Sequence, residues 1–248
     1  QPALWRPRSH DRIRLGYLSG DLRAHATAHL IAGVFEHHDR SRFEVWALDN
    51  TRSENSAMPR RLEAAFDHIL PVRSLTGEVA AKAVADAEID ILINLNGYAG
   101  DQRMDINAHR PAPLQVNYLG FPGSFGVAYI DYIIADRVVI PEAEQGAYTE
   151  KRVWLPECYQ ANDDRRAIAA APPSRAACGL PEDGFVFCNF NSNHKFTPPF
   201  FDAWMRILQA VDGSVLWLLE GNPSFRENIR RHAQDRGIAP ERLIFAPS

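Results

Sequence analysis

The chain has 248 residues, 46% of them hydrophobic, 10% aromatic and 23% charged, a balance that excludes a disordered, collagenous or mucin-like polymer and leaves room for a sizeable core. Its 27 lysines and arginines against 31 acidic residues give a formal charge of −4, so no global basic field is present to hold a nucleic-acid backbone. Three cysteines, Cys158, Cys178 and Cys188, lack C-x-x-C spacing, which argues against a disulfide framework or structural zinc site and fits a reducing cytoplasm. No apolar run approaches the roughly 20 residues that span a bilayer, and the polar opening is unlike a signal peptide. The expectation is a cytoplasmic protein with neither membrane nor nucleic-acid partners.

In chain order, residues 12–18 read as a strand closed by Ser19-Gly20-Asp21, and 27–38 as a helix. Strands at 43–48 and 68–72 alternate with helices at 56–66 and 79–87. The run 89–95 is almost continuously apolar, as a strand covered on both faces must be. Shorter strands follow at 114–118, 132–135 and 152–155. This alternation predicts an α/β fold with a mostly parallel sheet and helices on both sides. From 161 to 184 the composition shifts to Asn162-Asp163-Asp164, an alanine run and Pro172-Pro173, the pattern of a linker. The alternation restarts with strands at 185–190, 214–219 and 242–245 and helices at 198–211 and 224–236. These elements make half of a doubly wound lobe, so the polypeptide is expected to continue.

The loop Ser19-Gly20-Asp21-Leu22-Arg23-Ala24-His25 follows the first strand and opens on the first helix. Exposed N–H groups at such a helix start favour an anionic or polar ligand. Thr27 is a candidate cap for that helix, and His25 is a candidate general acid or base, because imidazoles as a class exchange protons near neutral pH. The same residues also serve as plain turn and capping groups with His25 on the surface. Asn94-Leu95-Asn96-Gly97-Tyr98 supports either hydrogen bonds to a ligand or a tight turn. Leu119-Gly120-Phe121-Pro122-Gly123 either brings backbone amides near a ligand or threads an irregular loop. Between the strand at 185–190 and the next helix, Lys195 is a candidate phosphate-neutralising charge or a solvated one. His10 and His37-His38 read as exposed, and Trp204 as core. The sequence holds no P-loop, dinucleotide fingerprint, H-E-x-x-H or G-x-S-x-G motif, so kinase, dehydrogenase, zinc-protease and serine-hydrolase chemistry find no support. An Asp-x-Asp that would suggest a metal–diphosphate site is also missing.

Taken together, Leu15-Gly16-Tyr17-Leu18-Ser19-Gly20-Asp21 with His25 and His29-Leu30, Asn94-Leu95-Asn96-Gly97-Tyr98, Arg110-Pro111-Ala112-Pro113-Leu114-Gln115, Leu119-Gly120-Phe121-Pro122-Gly123, Asp131-Tyr132-Ile133-Ile134 and Cys188-Asn189-Phe190-Asn191 with Lys195 resemble the catalytic region of the O-linked N-acetylglucosamine transferases. The order and spacing match along nearly the whole chain. The resemblance implies a two-lobed, GT-B-type glycosyltransferase that moves N-acetylglucosamine from UDP-N-acetylglucosamine to Ser or Thr hydroxyls of proteins, with inversion and without a metal or other cofactor. A Rossmann-like N-terminal lobe is expected over 1–160, a linker over 161–184, and the beginning of a nucleotide-sugar-binding lobe over 185–248.

Position by position, the resemblance implies His25 beside the sugar and diphosphate, with Asp21 on the same loop as a base candidate. Thr27, Tyr98, Leu119, Gly120 and Pro122 are implied to line the donor and acceptor side of the cleft. Ser192 and Lys195 are implied donor contacts, with Lys195 on the β-phosphate as UDP leaves. On this reading His25 and Lys195 converge on one diphosphate-sugar. Ala24, Ala26 and Ser192 stand where animal relatives carry Asn, Pro and Gln, and the short span between the lobes resembles bacterial members. A tetratricopeptide array that recognises protein substrates is expected upstream, and most uridine contacts downstream. The plant-type branch that transfers fucose from GDP-fucose shares these segments and is the alternative donor reading. A non-catalytic adaptor that keeps the fold is the alternative from another class.

Overall fold

The computed structural model describes residues 4–6, 9–52, 56–166 and 168–247. The chain forms two compact units, residues 1–167 and 168–248.

The first unit is built on a seven-stranded sheet: β1 (Ile13–Ser19), β2 (Phe43–Asp49), β3 (His68–Pro71), β4 (Ile91–Asn94), β5 (Leu114–Asn117), β6 (Tyr132–Ala135) and β7 (Lys151–Trp154). Every pairing is parallel, and the spatial order is β3-β2-β1-β4-β5-β6-β7. The period-two alternation of strands divides the apolar residues between two faces. Leu15, Tyr17, Val45, Ala47 and Ile93 pack against α1 (Ala26–His37) and α2 (Ala57–Ala65) through Ile31, Phe35, Met58 and Leu62. Leu18, Leu48 and Leu92 face the other way, onto Ala80, Ala81 and Val84 of α3 (Gly77–Asp86) and Ile106 of α4 (Met104–Ala108). Since β1 is flanked by β2 on one side and β4 on the other, the winding direction reverses between β1 and β4. Open α/β sheets bind ligands beyond the carboxyl ends of the strands at such a reversal.

The second unit has three parallel strands in the order β10-β9-β8: β8 (Val186–Asn189), β9 (Val215–Leu219) and β10 (Leu243–Ala246). Its helices are α5 (Pro198–Ala210) and α6 (Pro223–Gln234). Phe201, Met205, Leu208, Leu216, Leu218, Ile229 and Leu243 form its core, with Trp204 packed at the margin.

Four details differ from the sequence reading. Thr27 is not the cap of α1: the helix begins one residue earlier, and the His25 side chain takes that role by accepting from the Thr27 N–H. His10 is not an exposed terminal residue, because its ring lies 2.8 Å from Glu88 and 3.3 Å from Asp90. His38 accepts or donates at 2.8 Å to the buried Tyr17 hydroxyl, and burial, aided by Arg40, pushes its pKa below the usual imidazole value. The short helix α4 has no counterpart in the sequence reading.

One ion cluster ties distant segments of the first unit together. Arg61 of α2 donates to Glu36 of α1 at 2.8 and 3.0 Å and to Asp163 at 2.9 Å. These bonds hold the Asp163 carboxyl at about 2, against an ordinary value of 3.8, with Arg61 as the main cause, and they lower Glu36 as well. A depressed carboxylate stabilises the fold above its unfolded pKa and loses that contribution as pH falls through the folded value. Arg61→Ala is therefore expected to cost about 1–2 kcal/mol at neutral pH, since the guanidinium is partly exposed. An acid titration of the melting temperature should show the gap between parent and variant at its widest near neutral pH and narrowing as pH falls from about 4 through 2, because the parent alone loses this contribution.

Candidate active site

The first strand delivers Ser19-Gly20-Asp21 to the reversal point. The Asp21 N–H donates to Ser19 Oγ at 3.0 Å, and Asn50 N–H donates to the Ser19 carbonyl at 2.9 Å, which bends the chain tightly after β1. No side chain fits at Gly20, where a Cβ would lie 2.6 Å from the Asp101 carbonyl oxygen. From β4, Asn94 Oδ1 accepts the N–H groups of Asn96 and Gly97 at 3.0 and 2.9 Å, so the Asn-x-Asn-Gly sequence does form a tight turn. Its other asparagine has a different task. Asn96 Oδ1 accepts the Gly20 N–H at 2.8 Å while Asn96 Nδ2 donates to Asp21 Oδ2 at 2.7 Å. One buried carboxamide thus fastens the loop after β4 to the loop after β1.

Asp21 is 6% exposed. Besides Asn96 it receives Arg23 Nη2 at 3.2 Å and lies 3.7 Å from His25 Nδ1. The His25 ring is 39% exposed, and its Nδ1 accepts the Thr27 N–H at 3.3 Å. In that arrangement the ring proton resides on Nε2, which makes Nε2 a donor.

The third wall follows β5. Asn117 Nδ2 donates to the carbonyls of Phe121 and Gly123, both at 3.0 Å. The buried Glu150 accepts from Phe125 N–H and Ser124 Oγ, each at 2.7 Å. Leu119 has a left-handed backbone, φ 69°, and is buried. At Gly120 a Cβ would fall 2.1 Å from the Leu95 carbonyl oxygen, so the glycine lets the loops after β5 and β4 touch through their backbones.

These loops surround a hollow of about 290 Å³ lined by Asp21, Arg23, His25, Thr27, Leu95, Asn96, Ala99, Gly100, Asp101 and Gly120. Of the residues picked out in the sequence, His25, Asp21, Thr27 and Gly120 thus meet in one place. Leu119, Pro122 and Tyr98 do not line it. Tyr98 is half exposed, donates its hydroxyl to the Phe125 carbonyl at 2.6 Å and stacks edge-on against Phe121. Pro122 is exposed, with its carbonyl accepting from Tyr148 Oη at 3.2 Å. Arg23, Asp101 and the Asn96 bridge are the contributors that sequence reasoning missed. An asparagine in an Asn-Gly turn signals turn chemistry, and nothing local reveals a second bond to a residue 75 positions away.

In the second unit, Ser192 and Lys195 are exposed. The Lys195 N–H donates to the Ser192 carbonyl at 3.0 Å, closing a short 3₁₀ turn over Asn193–Lys195. Among the described residues no group of three or more His, Cys, Asp or Glu side chains is arranged to hold a metal ion, and no helix is long and apolar enough to cross a membrane.

A doubly wound parallel sheet with a polar hollow at its reversal point defines the Rossmann-like class of ligand-binding α/β proteins. Within that class the chain belongs to glycosyl transferase family 41, whose family model matches residues 4–172 and 167–248. It is 38% identical over 239 residues to the Arabidopsis thaliana protein named probable UDP-N-acetylglucosamine--peptide N-acetylglucosaminyltransferase SEC, covering 94% of this chain and 24% of that protein. An A. thaliana protein of the same description, SPINDLY, is 28% identical over 245 residues, covering 95% of this chain and 26% of that one. A solved structure of a mutant Thermobaculum terrenum O-GlcNAc transferase matches with a TM-score of 0.85 and 31% identity, over 96% of this chain and 45% of that one. The α/β fold is therefore of the GT-B glycosyltransferase type. The chain spans about a quarter of the length of these curated relatives.

The backbone contact at Gly120 is directly testable. Gly120→Ala is expected to cost about 1–3 kcal/mol, because the loop must move off Leu95 and strain its neighbours. A lowered denaturation midpoint with an unchanged m-value would show it.

Proposed function

We propose that the chain is part of the catalytic region of a protein O-GlcNAc transferase: an acceptor Ser or Thr hydroxyl attacks the anomeric carbon of UDP-N-acetylglucosamine and releases its proton to solvent, the bond from that carbon to the β-phosphate oxygen breaks to free UDP, and the sugar is transferred with inversion. What carries this reading is the 31% identity to a solved O-GlcNAc transferase over 96% of the chain. The polar hollow at the carboxyl ends of β1 and β4 supports it.

The residues divide the work by their surroundings. His25 caps α1 through Nδ1, so its Nε2–H is the group offered to a ligand, and the positive end of the helix lies beside it. Both favour the oxygens of a diphosphate-sugar. Asp21 is held by Asn96 and Arg23, so its carboxylate oxygens are engaged in joining the loops. We assign it to positioning the loop. Thr27 and Gly120 complete the wall, and Tyr98, Leu119 and Pro122 belong to the acceptor side. Lys195, assisted by Ser192, meets the β-phosphate and opposes the charge that develops as UDP departs. The assignment of these two residues rests on the family resemblance. No metal or other cofactor enters this scheme, and a cytoplasmic setting fits the three free cysteines. Recognition of acceptor proteins by an upstream tetratricopeptide array belongs to the same proposal.

GDP-fucose as donor is not favoured, since the chain is more similar to SEC than to SPINDLY and both are described by UDP-N-acetylglucosamine. The deciding experiment incubates the full-length protein and an acceptor protein with labelled UDP-N-acetylglucosamine or GDP-fucose. Transfer is expected from the first alone, and to persist in EDTA. Transfer from neither, with UDP still bound, would establish the adaptor reading. Within an active enzyme, Lys195→Ala should lower kcat about 10²–10³-fold, at least as much as His25→Ala. Asp21→Asn, which keeps an acceptor for Asn96, should cost about tenfold or less.

A further inference from the structure

Behind the hollow runs a row of side-chain amides that the scheme above leaves without a role. Asn94 at the end of β4 is 1% exposed, and Asn107 of α4 and Gln115 of β5 are fully buried. Asn94 Oδ1 is committed to two backbone N–H groups, so its Nδ2 points inward, donating to Asn107 Oδ1 at 2.8 Å beside the Met104 sulfur at 3.6 Å. Asn107 Nδ2 in turn donates to Gln115 Oε1 at 3.1 Å. Gln115 Nε2 ends the row on two backbone carbonyls, Asn107 at 2.9 Å and Tyr129 at 2.6 Å.

The row has only one polarity. At the Asn94 end two N–H groups demand an oxygen, and at the Gln115 end two carbonyls demand a nitrogen. Turning over any one amide sets oxygen against oxygen or N–H against N–H in a buried interior, where an unsatisfied polar group is heavily penalised. Among the described residues, charged side chains hydrogen-bond to the row only at its far end. There Arg110 donates to the Tyr129 carbonyl at 3.1 Å and to Asp131 at 2.9 Å, and Asp131 accepts the Gln115 backbone N–H at 2.8 Å. The neighbouring core faces are apolar, so leucines would fill the space but leave the backbone groups at both ends of the row unpaired. What the amides supply is direction. Asn94 sets the Asn96–Gly97 turn, Asn96 holds Gly20 and Asp21, and Asp21 lies against His25.

We propose that Asn107 and Gln115 are positioning residues that fix the orientation of Asn94 and, through the Asn96 bridge, the loop carrying Asp21 and His25. The consequence for turnover rests on the transferase reading, whereas the coupling of the row to the loop does not.

The test compares Asn107→Asp and Asn107→Leu with the parent in the full-length protein. Amide hydrogen exchange is followed over 19–25 and 94–98, alongside melting temperature and, with UDP-N-acetylglucosamine, kcat and KM from pH 5.5 to 8.5. In Asn107→Asp the ionised carboxylate still accepts from Asn94 but turns an oxygen toward Gln115 Oε1. Protonated, the acid donates there again and restores the row. Relative to the parent at each pH, exchange in both loops should be at least about tenfold faster at pH 8.5, and kcat lower by about ten- to a hundredfold, with both returning toward parental values near pH 5.5. Asn107→Leu should show the same defects without recovery at low pH. Should the leucine variant fail to fold, the pH recovery of Asn107→Asp decides alone. Parental exchange in the loops of a folded variant overturns the proposal. Faster exchange with unchanged kcat in an active enzyme overturns the link to the reaction. Faster exchange in a protein whose parent does not turn over UDP-N-acetylglucosamine supports the coupling and removes the transferase reading.

Discussion

The site depends on one buried carboxamide. Asn96 receives the Gly20 N–H and donates to Asp21, joining the two loops that leave the sheet where its winding reverses. A reversal necessarily opens a crevice, because the chain turns to opposite sides of the sheet after adjacent strands. Asn96 fixes how wide that crevice is. Each of its bonds adds only about 1 kcal/mol net, but an unpaired Gly20 N–H or Asp21 oxygen would cost about 1–3 kcal/mol. Closeness is thus enforced more by the penalty of separation than by attraction. Gly20 and Gly120 express the same constraint sterically, since each admits another loop's carbonyl oxygen where a Cβ would otherwise sit.

That arrangement also decides the electrical character of the hollow. Asp101 is paired with Arg52 and Arg73 at 3.2 and 3.4 Å, and Asp21 with Arg23 and Asn96. Both carboxylates lining the space are therefore paired, Asp21 with an arginine that itself lines the hollow. Beside them stand the His25 ring and the start of α1, whose first turn carries no acidic residue. A hollow with paired carboxylates and a helix amino terminus free of acidic residues favours polar, negatively charged ligands.

The strand and helix alternation was legible because the central strands are covered on both faces, which leaves near-continuous apolar runs in the sequence. The loops were legible as places, since residues such as Ser19-Gly20-Asp21 and Asn96-Gly97 break those runs. Their wiring was not. Either His25 or Thr27 serves as a cap by composition, and only the backbone at position 25, extended with φ −131° and ψ 154°, decides between them. Asn94, Asn107 and Gln115 follow no period, and each lies within apolar surroundings that give no hint of a polar partner. His10 and His38 escaped for a similar reason: the acids that hold His10 lie 78 and 80 positions along the chain, and the Tyr17 hydroxyl on His38 lies across the core. Helix α4 has five residues, too few to display a 3.6-residue period.

The second unit repeats one element of the first in different chemistry. Its first strand, β8, leads through Lys195 into α5, as β1 leads through His25 into α1. Proline begins α5, no side chain caps it, and its first turn holds no acid. An ammonium placed near such a helix start meets partial positive charge, an arrangement that costs free energy on its own. Among the described residues Lys195 forms no ion pair that would offset it. The His25 ring is neutral in its capping form and escapes that repulsion, so the two positions differ in what they require. Lys195 is exposed, so solvent screens that repulsion, and an anion would relieve it further.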